Sequence, residues 1–199
     1  MSFSLWPQRG DKPILFFVCL IPLAVILYDT FTNGLGANPV EALSHRTGAW
    51  TLRFLFITLT ITPLRKQFGW SRLVPLRRML GLYAFFFACL HLFVYLVLDR
   101  SMLLSEIIID IGKRPYITIG FAVFLMLLPM ATTSTNGMIR RLGGRRWKKL
   151  HRLIYPAAIG AVIHFFWLVK SDITEPFIYS VILTGLLAYR LPRPTKKQG

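Results

Sequence analysis

Six apolar segments, each near the length that crosses a bilayer, divide this 199-residue chain. Their approximate bounds are 13–31, 49–64, 79–98, 116–133, 151–169 and 176–191. Hydrophobic residues make up 54% of the sequence, which is too apolar for a soluble domain of this length. We therefore predict an all-α fold, a six-helix transmembrane bundle that forms a single domain over residues 1–199.

The chain has a net charge of +16, and its charged residues fall on opposite sides of these segments. With the N-terminus in the cytoplasm, eighteen of the 24 Lys and Arg residues lie on the cytoplasmic side, and seven of the eight acids lie on or near the other side. This asymmetry is the positive-inside pattern. It predicts a multi-pass protein of the bacterial inner membrane with both termini in the cytoplasm. The asymmetry also argues against nucleic-acid binding as the reason for the positive charge. Binding of anionic lipid or of a phosphate-bearing cofactor stays open as a lesser role of these cations.

Two histidines lie inside apolar segments, where an imidazole is costly and marks a functional site. His91 lies twelve residues beyond Met79, about 18 Å along the third span, and His164 lies thirteen residues beyond His151 in the fifth. Because both spans run in the same direction, the two imidazoles are predicted to be level. A b-type haem with an imidazole on each face of the iron fits this arrangement. The alternative is two separately satisfied polar residues.

His151 begins the fifth span, level with the start of the third, where the sequence has Arg77 and Arg78 instead of histidine. A second haem at this depth therefore lacks one histidine ligand. The surrounding cations suit a flavin phosphate or a semiquinone anion. We hypothesise that His151 lies at the electron-entry site, where a neutral imidazole can accept a quinol proton. The alternative is a polar cap on the helix.

The loop before the second span carries a fourth histidine. Asn38–Pro39 predicts a helix start and Gly48 a helix end, which gives a short helix at about 39–46 with Glu41 and His45 one turn apart. His45 is interpreted either as a surface residue or as a contact to a cofactor or partner.

Two further side chains are candidates for cofactor contact. Arg53, one turn into the second span, can snorkel to the interface, pair with Glu41 or meet a haem propionate. Trp147, one turn before His151, can pack on a cofactor or belong to the interfacial aromatic belt. The segment before Trp147 predicts turns at 136–137 and 143–144.

Four sequence blocks carry a family resemblance. They are GLGANPVEALSHRTG, RRMLGLYAFFFACLHLFVY, KRPYITIG and WKKLHRLIYPAAIGAVIHFFWLVKSD. On these blocks the chain resembles the ferric-reductase-like transmembrane family, and within it the haem-binding subunits of periplasmic methionine sulfoxide reductase systems. Larger members of the family usually have two histidines on each of two helices, whereas the third span here keeps only His91.

The resemblance implies a haem b electron-transfer subunit without a substrate-converting site of its own. Such a subunit takes electrons from the quinone pool or a flavin reductase. It passes them to a periplasmic molybdopterin subunit, its partner in a heterodimer, that repairs oxidised methionine. FMN is an implied additional cofactor, for which Arg77, Arg78 and Trp70 are the candidate contacts.

Two other functions stay open at this point. A transmembrane metalloreductase would need a separate cytosolic flavin donor, because the chain ends eight residues after the last span. A small membrane transporter would be expected to show intramembrane carboxylates or paired broken helices, and no Asp or Glu lies deep in any predicted span.

Overall fold

The computed structural model describes residues 11–169 and 172–190, and the regular structure within those ranges is entirely helical. The α-helices are α1 (Asp11–Phe31), α2 (Pro39–Phe68), α3 (Leu76–Phe93), α4 (Leu104–Lys113), α5 (Pro115–Thr132), α6 (Asn136–Leu142), α7 (Gly144–Leu150), α8 (Ile154–Leu168) and α9 (Thr174–Ala188). A π-helical turn, Val94–Asp99, extends α3, and 3₁₀ turns at Ser71–Leu73 and His151–Leu153 precede α3 and α8. The predicted all-α class is confirmed.

Within the described ranges, three helices are long and apolar enough to cross a membrane. They are Lys12–Phe31, Leu76–Asp99 and Pro115–Thr132. α9 is apolar but shorter, with 15 residues. The predicted spans fall on helices of the structure. The three long apolar helices identify the chain as a membrane protein. The count of six crossings and the orientation of the termini remain predictions.

The first half of helix α2 differs in length from the short helix predicted at 39–46. The Asn38 side chain caps it as predicted and accepts a hydrogen bond from the Glu41 amide (3.3 Å). The predicted stop at Gly48 is wrong, since α2 is 30 residues long in all and ends at Phe68, before Gly69, whose φ is +69°. Gly48 is a contact point instead of a helix end, because the His91 imidazole packs directly on it.

The segment between α5 and α8 also differs in part. The predicted turn at 136–137 is wrong, because these residues begin α6, where the Thr135 hydroxyl accepts a hydrogen bond from the Met138 amide (3.2 Å). The predicted turn at 143–144 is present, with Gly143 at φ +75° between α6 and α7. His151 lies in a 3₁₀ turn and not in the helix that carries His164.

The bundle is built from two helix pairs, since α2 packs mainly on α3 and α5 mainly on α8. A Cβ on Gly160 of α8 would lie 2.8 Å from Val123 Cγ2 of α5, so a side chain at position 160 would require Val123 to shift. We call one end of the bundle the acidic end. Helices α1 and α3 finish there and α2 and α5 begin there, and Arg46 of α2 pairs with Asp29 of α1. The opposite end, where α2 and α9 finish, is called the basic end.

Candidate functional site

His91 of α3 and His164 of α8 meet between the two helix pairs. Their ring centroids lie 6.1 Å apart, and the ring planes are inclined at 81°. The structure thus brings together the two imidazoles that the depth argument placed level, although they belong to helices that mainly contact other partners.

Each of these imidazoles is held by a backbone carbonyl of the neighbouring helix. His91 Nδ1 lies 2.9 Å from the Ser44 carbonyl oxygen of α2, and His164 Nδ1 lies 2.6 Å from the Tyr116 carbonyl oxygen of α5. A carbonyl only accepts, so in both rings the proton is on Nδ1 and donates to it. The Nε2 lone pair of each ring is therefore left available as a metal ligand.

A glycine one turn after each carbonyl provides the surface on which the ring lies. A Cβ at Gly48 would be 3.2 Å from His91 Cε1, and a Cβ at Gly120 would be 3.0 Å from both Cε1 and Nδ1 of His164. The carbonyl and the glycine four residues later together form what we call an imidazole seat. The two seats, 44–48 and 116–120, have the same composition and serve the two rings in the same way.

The imidazoles line a cavity of about 240 Å³ between the helix pairs. Its wall is mainly apolar and includes Leu52, Ala88 and Phe124. Such a wall with a few convergent polar groups is typical of a cofactor pocket.

Polar side chains gather where the cavity opens at the acidic end. His45, Asp99, Arg114 and Tyr116 line it there, and His45 is exposed. The Arg114 guanidinium donates a hydrogen bond to the Tyr116 hydroxyl (3.3 Å), which raises the pKa of Arg114. Arg114 Nε also pairs with Asp110 (3.3 Å), so the mouth of the cavity carries charges of both signs.

The separation of the two rings would let His91 and His164 both coordinate one haem iron. Two metal–nitrogen bonds of about 2 Å, plus roughly 1 Å from nitrogen to centroid in each ring, add to about 6 Å. The observed separation of centroids is 6.1 Å. The porphyrin supplies the other ligands of a haem iron, so two seated imidazoles suffice.

Three predicted contacts lie away from this cavity. Arg53 Nε donates to the Tyr179 hydroxyl (3.2 Å), and its guanidinium lies 4.8 Å from the centroid of the Trp50 ring, so Arg53 does not line the cavity. Trp70 is 53% exposed and packs on Phe68, with ring centroids 5.3 Å apart.

Arg78 is the third such contact. It is exposed and donates to the Asn136 side chain (2.6 Å), which ties the start of α3 to α6.

His151 lies at the basic end and contacts both its own segment and the residues just after α5, where Ser134 Oγ lies 3.4 Å from its Nε2. Its ring stacks on Trp147 with centroids 3.8 Å apart, and its Nδ1 lies 3.1 Å from the Trp147 carbonyl oxygen. Trp147 Nε1 in turn donates to the Thr133 carbonyl (3.0 Å). Arg77 is close enough for its charge to act on His151. The structure therefore brings His151 and Trp147 together, with the Arg77 charge acting on His151, and leaves Arg78 and Trp70 outside this group.

Sequence reasoning missed the two seats and Arg114. Gly48 was interpreted as a helix stop and Gly120 was not singled out. The available signal was a glycine in the long helix that precedes each histidine-bearing helix, with Gly48 in the interior of α2 and Gly120 about one turn into α5.

The chain is similar to known proteins over most of its length. The profile described as "Ferric reductase like transmembrane component" matches residues 47–162. The chain is 47% identical over 182 residues to a "Protein-methionine-sulfoxide reductase heme-binding subunit MsrQ" of Herminiimonas arsenicoxydans, which covers 90% of this chain and 84% of the relative. It is 47% identical over 202 residues to the protein of that name from Azospira oryzae, with 100% and 87% covered.

A further relative of the same name, from Xanthomonas campestris pv. campestris, is 55% identical over 160 residues, which is 80% of this chain and 73% of the relative. No solved structure matches the chain.

Proposed function

Because this chain belongs to the ferric reductase like transmembrane family and, within it, to the MsrQ proteins, we propose that it is the haem b electron-transfer subunit of a methionine sulfoxide reductase system. It takes electrons from the quinone pool or a flavin reductase and delivers them to a periplasmic molybdopterin subunit that repairs oxidised methionine. Residues 1–199 form one domain of six helices that cross the bacterial inner membrane, with both termini in the cytoplasm.

The single observation that carries this proposal is the pair of seated imidazoles. His91 and His164 each keep Nε2 free by donating from Nδ1 to a carbonyl of the neighbouring helix. Bound haem b supplies an iron that accepts and releases one electron at a time. The seats fix the ring orientation in advance, which is the usual role of a partner on the second nitrogen of a ligating histidine.

The chain's other residues isolate and polarise this site. The wall of the cavity is mainly apolar, while Arg114 at its mouth, already paired with Asp110, has further N–H donors for a carboxylate such as a haem propionate. His45, exposed at the same mouth, is placed to contact the cofactor or the periplasmic partner. The acidic end is therefore the face from which electrons leave.

Electrons enter at the opposite end of the bundle. His151 stacks on Trp147 within reach of the Arg77 charge, so a flavin or quinol bound there meets an imidazole base and a cation. FMN is a second cofactor at this end, as the family resemblance implies. A second haem at His151 would require a ligand other than histidine.

Optical spectroscopy of the purified full-length protein, with haem and flavin quantified per chain, tests this function. We expect a six-coordinate low-spin b-type spectrum that His91→Ala and His164→Ala each abolish, because each removes one axial ligand. Free imidazole added to either variant should restore six-coordination, which a misfolded protein would not allow. Retention of the wild-type spectrum in both variants would exclude the assignment of these two ligands.

A further inference from the structure

Arg190, at the end of α9, turns back into the bundle instead of pointing away from it. Its Nη2 donates a hydrogen bond to the Leu59 carbonyl of α2, and its guanidinium lies 5.3 Å from the centroid of the Tyr155 ring. The Leu59 carbonyl is free for this bond because its helical partner would be the amide of Pro63, and proline has no N–H. The Arg190 guanidinium therefore binds α2 at Leu59, a residue whose side chain is fully buried.

Most of the Arg190 donors have no acceptor among the residues that the structure describes. A guanidinium has five N–H donors, and Nε and Nη1 of Arg190 are buried without a hydrogen-bond partner in the described part of the chain. Leaving a buried charge unpaired is costly. The carboxylates of 12–169 and 172–190 all lie at or near the acidic end, so none of them reaches this guanidinium.

A second cation, Arg77, lies at the same end of the bundle. It is half-buried at the start of α3, and its charge acts on both Arg190 and His151. Two cations held near each other repel unless an anion lies between them. Arginine forks match the oxygens of a phosphate or carboxylate in two-point contacts.

We propose that Arg190 and Arg77 form a binding site for an oxyanion, a phosphate or carboxylate group, at the basic end of the bundle beside His151 and Tyr155. The site lies at the opposite end from the His91–His164 cavity, so it does not depend on haem being bound there. Arg190 contributes the buried, pre-positioned donors, and Arg77 contributes the second charge from the half-exposed side.

Thermal unfolding of the full-length protein in an uncharged detergent tests this site with inorganic phosphate as the probe. Phosphate should raise the unfolding temperature in a saturable manner relative to chloride at equal ionic strength, since a ligand that binds only the folded state stabilises it. Arg190→Gln and Arg77→Gln should each weaken phosphate binding at least about tenfold. Arg190→Lys keeps the positive charge but loses the two-point guanidinium contact, so its phosphate affinity should lie between those of the wild type and Arg190→Gln.

Arg152→Gln is the matched control, because Arg152 is an exposed cation at the same end. It should leave the phosphate effect unchanged, and the absorption spectrum of each variant reports whether the bundle is intact. The proposal would be overturned if phosphate and chloride raised the unfolding temperature of the wild type equally. It would also be overturned if Arg152→Gln and Arg190→Gln weakened phosphate binding equally.

Two further arms identify where the oxyanion comes from. If FMN competes with phosphate and Arg190→Gln abolishes the competition, the anion belongs to a cofactor. If vesicles of phosphatidylcholine with phosphatidylglycerol stabilise the wild type more than phosphatidylcholine alone, and Arg190→Gln removes the difference, it is a lipid headgroup. Either result supports the site. If phosphate, FMN and phosphatidylglycerol all fail to distinguish Arg190→Gln from wild type, there is no site.

Discussion

Replacing Gly120 by alanine is the sharpest test of the imidazole seats. The added Cβ would lie 3.0 Å from both Cε1 and Nδ1 of His164, whereas ordinary contacts begin at 3.4 Å. The ring must therefore retreat by about 0.4 Å or more, which lengthens its 2.6 Å hydrogen bond to the Tyr116 carbonyl and displaces Nε2. A ligand site tolerates errors of only about 0.5 Å.

We expect Gly120→Ala to weaken haem binding by about 1–2 kcal/mol, a factor of roughly 5 to 30. The apoprotein should not be destabilised to the same extent, because alanine is better than glycine in a helix interior by about 0.5–1 kcal/mol. Loss of cofactor with retention of the fold is thus the specific outcome.

Haem transfer to an excess of an apo-globin, followed by absorbance, measures this loss directly. Gly48→Ala should be milder, because its Cβ would lie 3.2 Å and 3.3 Å from the His91 ring atoms. Gly81→Ala is the matched control on α3, since the nearest atom to its Cβ is Thr58 Cγ2 at 3.9 Å. Haem retention in Gly120→Ala equal to that of the wild type, or an equal loss in Gly81→Ala, would refute the seats.

Three further perturbations separate the proposed roles. His151→Ala should leave the absorption spectrum of the haem nearly unchanged but slow its reduction by the physiological donor about 10²-fold in stopped-flow traces, and an unchanged rate would remove His151 from electron entry. Arg53→Gln should lower the free energy of unfolding by about 1 kcal/mol through its lost bond to Tyr179, with the haem midpoint potential unaltered; a shifted potential would place Arg53 beside the haem after all. Reporter fusions after residue 115 should be periplasmic and fusions after residue 199 cytoplasmic, and the opposite pattern would invert the predicted orientation.

The apolar helices were readable from the sequence, because apolar length and capping are local properties, whereas α6 and the continuation of α2 through Gly48 were not. Asn38–Pro39 marks the start of α2 as predicted, and the level positions of His91 and His164 follow from residue counts along two spans that run the same way. Counting residues gives depth along a helix reliably, since each residue adds about 1.5 Å.

Rotation around the helix axis was not readable in the same way. The neighbours Thr51 and Leu52 line the cavity while Arg53 faces Tyr179, because one residue turns the helix by about 100°. Helices that are apolar on every side give no periodic signal for which face turns inward. The same limit hid Arg190, whose direction depends on a carbonyl left free by a proline in a distant helix.

The two seats also determine when during synthesis the site is completed. The Ser44 carbonyl and His91 are 47 residues apart, and the Tyr116 carbonyl and His164 are 48 residues apart, so each histidine can be seated within its own half of the chain. The first half is made and inserted before the second exists, and chains fold from the N-terminus as they emerge. A chain arrested after α5 would hold one seated imidazole with nothing opposite it. Cofactor loading is therefore a late step of biogenesis, which joins two halves that have already closed.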